Sequence, residues 1–291
     1  MFNNYNEFLI YKSQNPIKKN QKNELAYLLE LKNFSGIYEL DFDGEKFKYI
    51  NIKNDDFGIL KFFWGGEPEY ISVKFWIESC LKDGICIDVG AHTGRYTVIG
   101  SVFSKKNNIV SFEPYFLNYS RMLSNLRLNN ILTNNCFFSA ASSKNGFSFF
   151  DIKNNNKFFH TSAGKIIAEK QGAMKVPTIK LDSLTFKSNV NAIKVDTEGH
   201  ELEVLKGSTK LIDAQRPMLI IEKNKENFFS IVNFLEEMDY SIYLIDDTNF
   251  KIQILNLDNK NYIDKNYKNI LCLFNKNLKN YNSLIKKYMI E

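Results

Sequence analysis

The stretch Ile85-Cys86-Ile87-Asp88-Val89-Gly90-Ala91-His92-Thr93-Gly94 most constrains how this chain can fold. An apolar run ends in an acid and breaks into a glycine-bearing turn. A helical pattern follows at once, from Tyr96 to Phe103. A second apolar run, Ile109-Val110-Ser111-Phe112, ends in Glu113, about twenty residues beyond Gly94. Strand, glycine turn, helix and strand ending in an acid is the layout of a nucleotide-binding βαβ unit, in which the second acid usually grips ribose hydroxyls.

The same alternation continues. Strands are expected at 85–89, 109–113, 136–140, 191–196 and 218–222, with helices at 94–104, 115–129, 200–214 and 226–238 between them. Phe147 to Ile152 reads as a further strand, and 241–246 and 269–275 as two late ones. Repeated βα units imply an α/β fold with a doubly wound, mostly parallel sheet. Residues 1–82 read as an N-terminal extension packed on a core of 83–291. The extension carries a helical pattern at Glu24–Leu31, antiparallel strands within 36–63 turning at Asp43-Gly44, and a helix at 68–82. The polar stretch 153–175 reads as a lid-like surface insertion. The basic, amphipathic tail from Leu278 to Ile290 is expected to pack on the domain rather than to bind a membrane.

Composition narrows the function classes. The chain has 291 residues with 44% apolar and 14% aromatic side chains, enough for a sizeable core. No run reaches the roughly eighteen apolar residues a membrane helix needs, and the start lacks a basic-then-apolar secretion signal. Cys80, Cys86, Cys136 and Cys272 are scattered without metal spacing, which suits reduced thiols in a cytoplasmic protein. The net charge is +5, but only Arg95, Arg121, Arg127 and Arg216 are arginine. Nucleic-acid readers lean on arginine for bidentate contacts, so the lysines read as a solvated surface and no nucleic-acid partner is expected.

The glycine pattern narrows the ligand. Dinucleotide enzymes carry G-x-G-x-x-G because a pyrophosphate packs on the helix N-terminus. Here the run is G-x-x-x-G, with Asp88 where an anionic phosphate would want donors. S-adenosylmethionine, with its ammonium, sulfonium and ribose and no phosphate, fits better than NAD. The plain alternative is a buried strand-end acid beside a structural turn.

Four blocks then occur in order: Asp88-Val-Gly-Ala-His-Thr-Gly94, Phe112-Glu113-Pro114, Val176 to Leu184, and Ile193 to Gly207. Together they resemble the FkbM family of S-adenosylmethionine-dependent methyltransferases over roughly residues 65–225. The first block is shared by many methyltransferases; the block Lys194-Val-Asp-Thr-Glu-Gly-His-Glu is far more specific. The resemblance implies a class I methyltransferase fold, Rossmann-like, with seven strands and the last antiparallel. It also implies O-methylation of sugars or related metabolites. His92 departs from the family, which usually has Asn there, and this leaves a backbone role intact.

The expected site residues follow. Asp88, Gly90, Ala91, His92, Thr93, Gly94, Glu113, Pro114, Ala140 and Asp196 are expected at the cofactor, with Ala141 and Tyr115 nearby. A sugar hydroxyl is a poor acid, so transfer to it needs a base or a metal. Asp196, Glu198 and His200, after the fourth strand, are the candidates for the catalytic role. Each also has a plain reading as a loop or helix-start residue. Glu222, Arg95, His160, Thr161 and Ser162 are candidates to contact the acceptor. Asp196 and Glu222 could share a divalent cation, but no ligand spacing supports it, so the residues alone assign no metal and leave metal dependence open. The leading expectation is O-methylation of a sugar hydroxyl, on a nucleotide sugar or a capsule or lipopolysaccharide precursor, by a protein able to self-associate. Another small-molecule hydroxyl, RNA, or non-enzymatic cofactor binding are the alternatives. Asp196-Thr197-Glu198-Gly199 in place of an N/D-P-P-Y-like block argues against methylation of a nucleic-acid base.

Overall fold

In a computed structural model of the chain, the described residues are 2, 4–16, 28, 31–32, 34–53, 55–152, 164–167, 173–258 and 267–289. Fourteen strands occur among them: β1 (Gly36–Phe42), β2 (Glu45–Asn51), β3 (Ile85–Val89), β4 (Ile109–Phe112), β5 (Cys136–Phe137), β6 (Ala140–Ala141), β7 (Gly146–Asp151), β8 (Lys165–Ile167), β9 (Met174–Ile179), β10 (Val190–Val195), β11 (Met218–Glu222), β12 (Tyr240–Asp246), β13 (Lys251–Ile254) and β14 (Asn269–Phe274).

The main sheet has eight strands in the order β13-β12-β14-β11-β10-β3-β4-β5. The strands from β11 to β5 run parallel. Their near-continuous apolar runs suit burial on both faces. The last strand, β14, is antiparallel and inserted between β11 and β12. The seven-stranded expectation is corrected by one: β13 adds an eighth strand at the edge. It forms because the Asp246 carboxylate accepts from the Asn249 backbone N–H at 3.0 Å and side chain at 2.8 Å, closing a turn before an alternating segment.

Other expectations are met or revised for physical reasons. β1 and β2 pair in the expected hairpin, with Asp43 and Gly44 both at positive φ (48° and 88°), as a type I′ turn requires. The strand pattern ends at Asn51, however, and Phe57–Gly65 is a helix whose N-cap Asp56 accepts from Ile59 N at 3.1 Å. The strand expected at 136–140 splits: β5 pairs with β4, whereas β6 crosses to a separate sheet ordered β6-β9-β7-β8. The insertion at 153–175 is not wholly a loop, since β8 and the start of β9 belong to that second sheet. Most of the rest of it, including His160, Thr161 and Ser162, lies outside the described residues, as does most of Glu24–Leu31. The helix expected near 200–214 is two helices, Glu201–Lys206 and Thr209–Gln215. They break at Gly207, where a Cβ would sit 1.9 Å from the Ser142 carbonyl oxygen.

Two apolar layers flank the sheet. One joins helices Tyr70–Leu81, Arg95–Ser104 and Phe116–Leu128 to Phe8, Tyr38 and Phe63 of the N-terminal segment. The other lies under Glu201–Lys206, Thr209–Gln215 and Phe228–Glu236. The hairpin is also stitched to helix Phe116–Leu128: Ile50 N donates to Asn125 Oδ1 at 2.9 Å, and Arg121 pairs with buried Asp55 at 3.0 Å. The terminal helix Asn282–Tyr288 packs through buried Tyr281 and Tyr288, and Met289 bridges to Ile252.

Candidate active site

The turn after β3 begins at Gly90, where only glycine fits. Its φ is +75°, and a Cβ there would stand 1.7 Å from the Asp196 carbonyl oxygen. The turns after β3 and β10 are thereby brought together at the carboxyl ends of the strands, where open α/β sheets bind ligands. A cleft of about 480 Å³ opens there, within the range of small-ligand sites.

At one end of the cleft stand the glycine turn and Glu113. Glu113 is 4% exposed and accepts from His92 N through Oε2 and from Tyr115 N through Oε1, both at 2.8 Å. Burial pushes its carboxyl up to about 7, against the pull of those two backbone donors. Oε1 also accepts from Asn118 Nδ2 at 3.5 Å, whereas Oε2 has a second lone pair that could take a ribose hydroxyl. His92 itself lies at φ +54° and turns its ring toward Thr93 and Asp56. Ala91, Pro114, Ala140 and Ala141 line the same end.

Two expected cofactor residues make contacts away from the cleft, although Thr93 also lines it. The Thr93 hydroxyl is taken by Asp56 and by Tyr49, whose hydroxyl lies 2.9 Å away, so its observed contacts fasten the turn to the N-terminal segment. Gly94, at φ +93°, turns toward Met122, not into the cleft: a Cβ would meet Met122 Cγ at 2.7 Å. Asp88 is fully buried and accepts from Thr97 Oγ1 at 2.7 Å; its Oδ1 has no hydrogen-bond partner, and burial raises its pKa. Tyr115 stacks on Phe150, with ring centroids 5.9 Å apart.

The other end is formed by the loop after β10. Glu201 is fully buried and organises it, accepting from Thr197 N at 3.1 Å, Thr197 Oγ1 at 3.0 Å and Gly199 N at 2.9 Å, and from Asn227 at 2.8 Å. This places Glu198 at φ +55°, an uncommon conformation for a non-glycine residue. Asp196, Glu198 and Glu222 each present an oxygen within 4.8 Å of the others. Oxygen-only donors at that spacing suit a hard divalent cation. Burial, followed by the charges of Asp196, Glu198 and Glu201, pushes the Glu222 carboxyl up to about 10, and its Oε2 is buried without a hydrogen-bond partner. His200 turns aside to Ser142, with Nε2 2.9 Å from Oγ, and burial lowers its pKa.

Several lining residues were not legible in the sequence. Lys194, buried in β10, donates to Asp196 Oδ2 at 3.0 Å. Asp56 to Ile59, Glu69, Lys268 and Asn269 reach the cleft from outside the motifs. Glu69 explains Arg95: the guanidinium donates to Glu69 at 2.8 Å and Glu67 at 2.7 Å. Burial alone would raise Glu69, but Arg95 and Lys194 hold its carboxyl well below the usual carboxylate range. Lys194 opens the family-specific block, but its place in the cleft was signalled only by a lysine inside an otherwise apolar strand.

A Methyltransferase FkbM domain model matches residues 88–242. A curated relative, the hexuronic acid methyltransferase AglP of Haloferax volcanii, is 30% identical over 152 residues, which are 51% of this chain and 59% of the relative. The match therefore spans less than two thirds of that relative's length. Among solved structures, the chain is similar to a methyltransferase FkbM from Methylobacillus flagellatus (TM-score 0.47, 17% identity, covering 81% of this chain and 56% of that one). It is also similar to an rRNA methylase from Streptococcus thermophilus (TM-score 0.42, 13% identity, 70% and 93%).

Proposed function

Because the chain belongs to the FkbM methyltransferase family, we propose that this enzyme moves the methyl group of S-adenosylmethionine to a hydroxyl of a sugar. The observation that carries the reading is the two-ended cleft, with a ribose-type acid, Glu113, at one end and Asp196 at the other. The family relative named for a hexuronic acid supports a sugar acceptor.

In this reading the bound cofactor supplies the electrophilic methyl carbon. Glu113 and the Gly90 turn hold the nucleoside. Asp196 takes the acceptor proton as the new C–O bond forms and the C–S bond breaks, leaving a methyl ether and S-adenosylhomocysteine. Its Oδ2 is fixed by Lys194, so its other oxygen is the one available to the hydroxyl. Glu222, favoured in its protonated form, would donate a hydrogen bond to a neighbouring sugar oxygen. His200, hydrogen-bonded to Ser142, acts through the shape of the loop. The cluster Asp196, Glu198 and Glu222 favours a second version, in which a divalent cation held by these carboxylates acidifies the hydroxyl.

The test is incubation with labelled S-adenosylmethionine and a panel of nucleotide sugars, read by mass. Wild type should add one methyl group to at least one sugar. Loss of turnover on adding a chelator, restored by magnesium, would select the metal version. Methylation of RNA with no sugar product would refute the reading.

A further inference from the structure

Lys194 stands where a lysine is costly, 3% exposed, in a strand whose neighbours Ile193 and Val195 are buried and apolar. Its ammonium has three attachments. It donates to Asp196 at 3.0 Å, lies 4.6 Å from the centre of the Tyr96 ring, and sits in the field of Asp88, its register partner on β3, and of Glu69. The Tyr96 hydroxyl in turn donates to Glu69 at 2.9 Å. These groups, Asp88, Asp196, Glu69 and Tyr96, all line the cleft.

We propose that Lys194 is a positioning residue that aims Asp196 and balances the acidic cleft floor, so that the charged methyl donor is not held more tightly than its neutral product. The proposal rests on the methyltransferase reading above and adds a role to it. The donor carries a positive sulfur; after transfer that charge is gone, and the acceptor proton has neutralised one carboxylate. Arg95 is already paired with Glu67 and Glu69, so without Lys194 the carboxylates of Asp196 and Asp88 would favour the cationic donor in the ground state and oppose loss of its charge. A fixed ammonium among them offsets that preference and disfavours the cationic ground state relative to the transition state, where the charge is already dispersing.

The test needs no sugar acceptor. Calorimetry would measure Kd for sinefungin, which carries an ammonium in place of the methylsulfonium, and for S-adenosylhomocysteine. Lys194→Met should raise the preference for sinefungin by about tenfold, the scale of removing one charge some way from the ligand across a partly wet cleft. Lys194→Arg should keep the wild-type ratio, and Asp196→Asn should shift it the opposite way. Once an acceptor is known, Lys194→Met should lower both kcat and the KM for the cofactor. A purely structural lysine would weaken both ligands together; that result, or an unchanged ratio in folded Lys194→Met, would overturn the proposal. Failure of wild type to bind either ligand would instead overturn the methyl-donor reading, and this proposal with it.

Discussion

In the proposed reading Gly90 and Glu113 do most to define the cofactor end, and each makes a measurable prediction. Gly90→Ala must push a Cβ into the Asp196 carbonyl, so it should destabilise the fold by about 1–3 kcal/mol or more and abolish S-adenosylhomocysteine binding in calorimetry. Glu113 has a folded pKa of about 7 against an ordinary 4.5, so the free protein favours its protonated form. Its contribution to stability is therefore largest in acid and declines as pH rises from 4.5 through 7. Ribose hydroxyls donate best to the ionised form, so cofactor affinity should strengthen as pH rises through 7. Glu113→Gln should flatten that dependence, and a pH series of binding measurements checks it. Both residues were legible in the sequence because a turn at the end of a strand leaves a local signature. The observed bonds of Thr93 were not, because its partners Tyr49 and Asp56 lie 44 and 37 residues away.

At the scale of elements, the loop after β10 depends on a residue that is neither in the turn nor a candidate catalyst. Glu201→Ala removes the acceptor for two backbone N–H groups and should cost about 1–3 kcal/mol per donor left buried. Thermal melts would show the loss, and activity should fall further than stability because Asp196 and Glu198 lose their frame. The hairpin makes a parallel case: Tyr49→Phe removes its hydrogen bonds to Thr93 and should weaken cofactor binding with no change in the residues of the cleft itself. The strands and helices of the βα units were readable because their periodicity is local. The split at β5 and β6, and the break at Gly207, were not; both arise from close approach to a second sheet and to Ser142.

For the whole molecule, family likeness covers residues 88–242, yet the cleft is closed by Asp56 to Ile59, Glu69, Lys268 and Asn269 from either side of it. Described residues of the 1–82 segment also share one apolar layer with the sheet, including fully buried Trp76 and Tyr38. A version lacking residues 1–82 should therefore fail to fold cooperatively, and Trp76→Ala alone should cost about 3–5 kcal/mol in a denaturant titration. In the proposed reading, the sequence announces the nucleotide end through a compact motif. The proposed acceptor end combines the block after β10 with Asp56 to Ile59, Glu69, Lys268 and Asn269, distant segments that no spacing rule reveals. The measurement that bears most directly on the central claim is mass detection of a methylated nucleotide sugar, made by wild type and by Asp196→Ala. The account predicts one added methyl group with wild type, and none with Asp196→Ala despite retained S-adenosylhomocysteine binding. Full turnover by Asp196→Ala would contradict it.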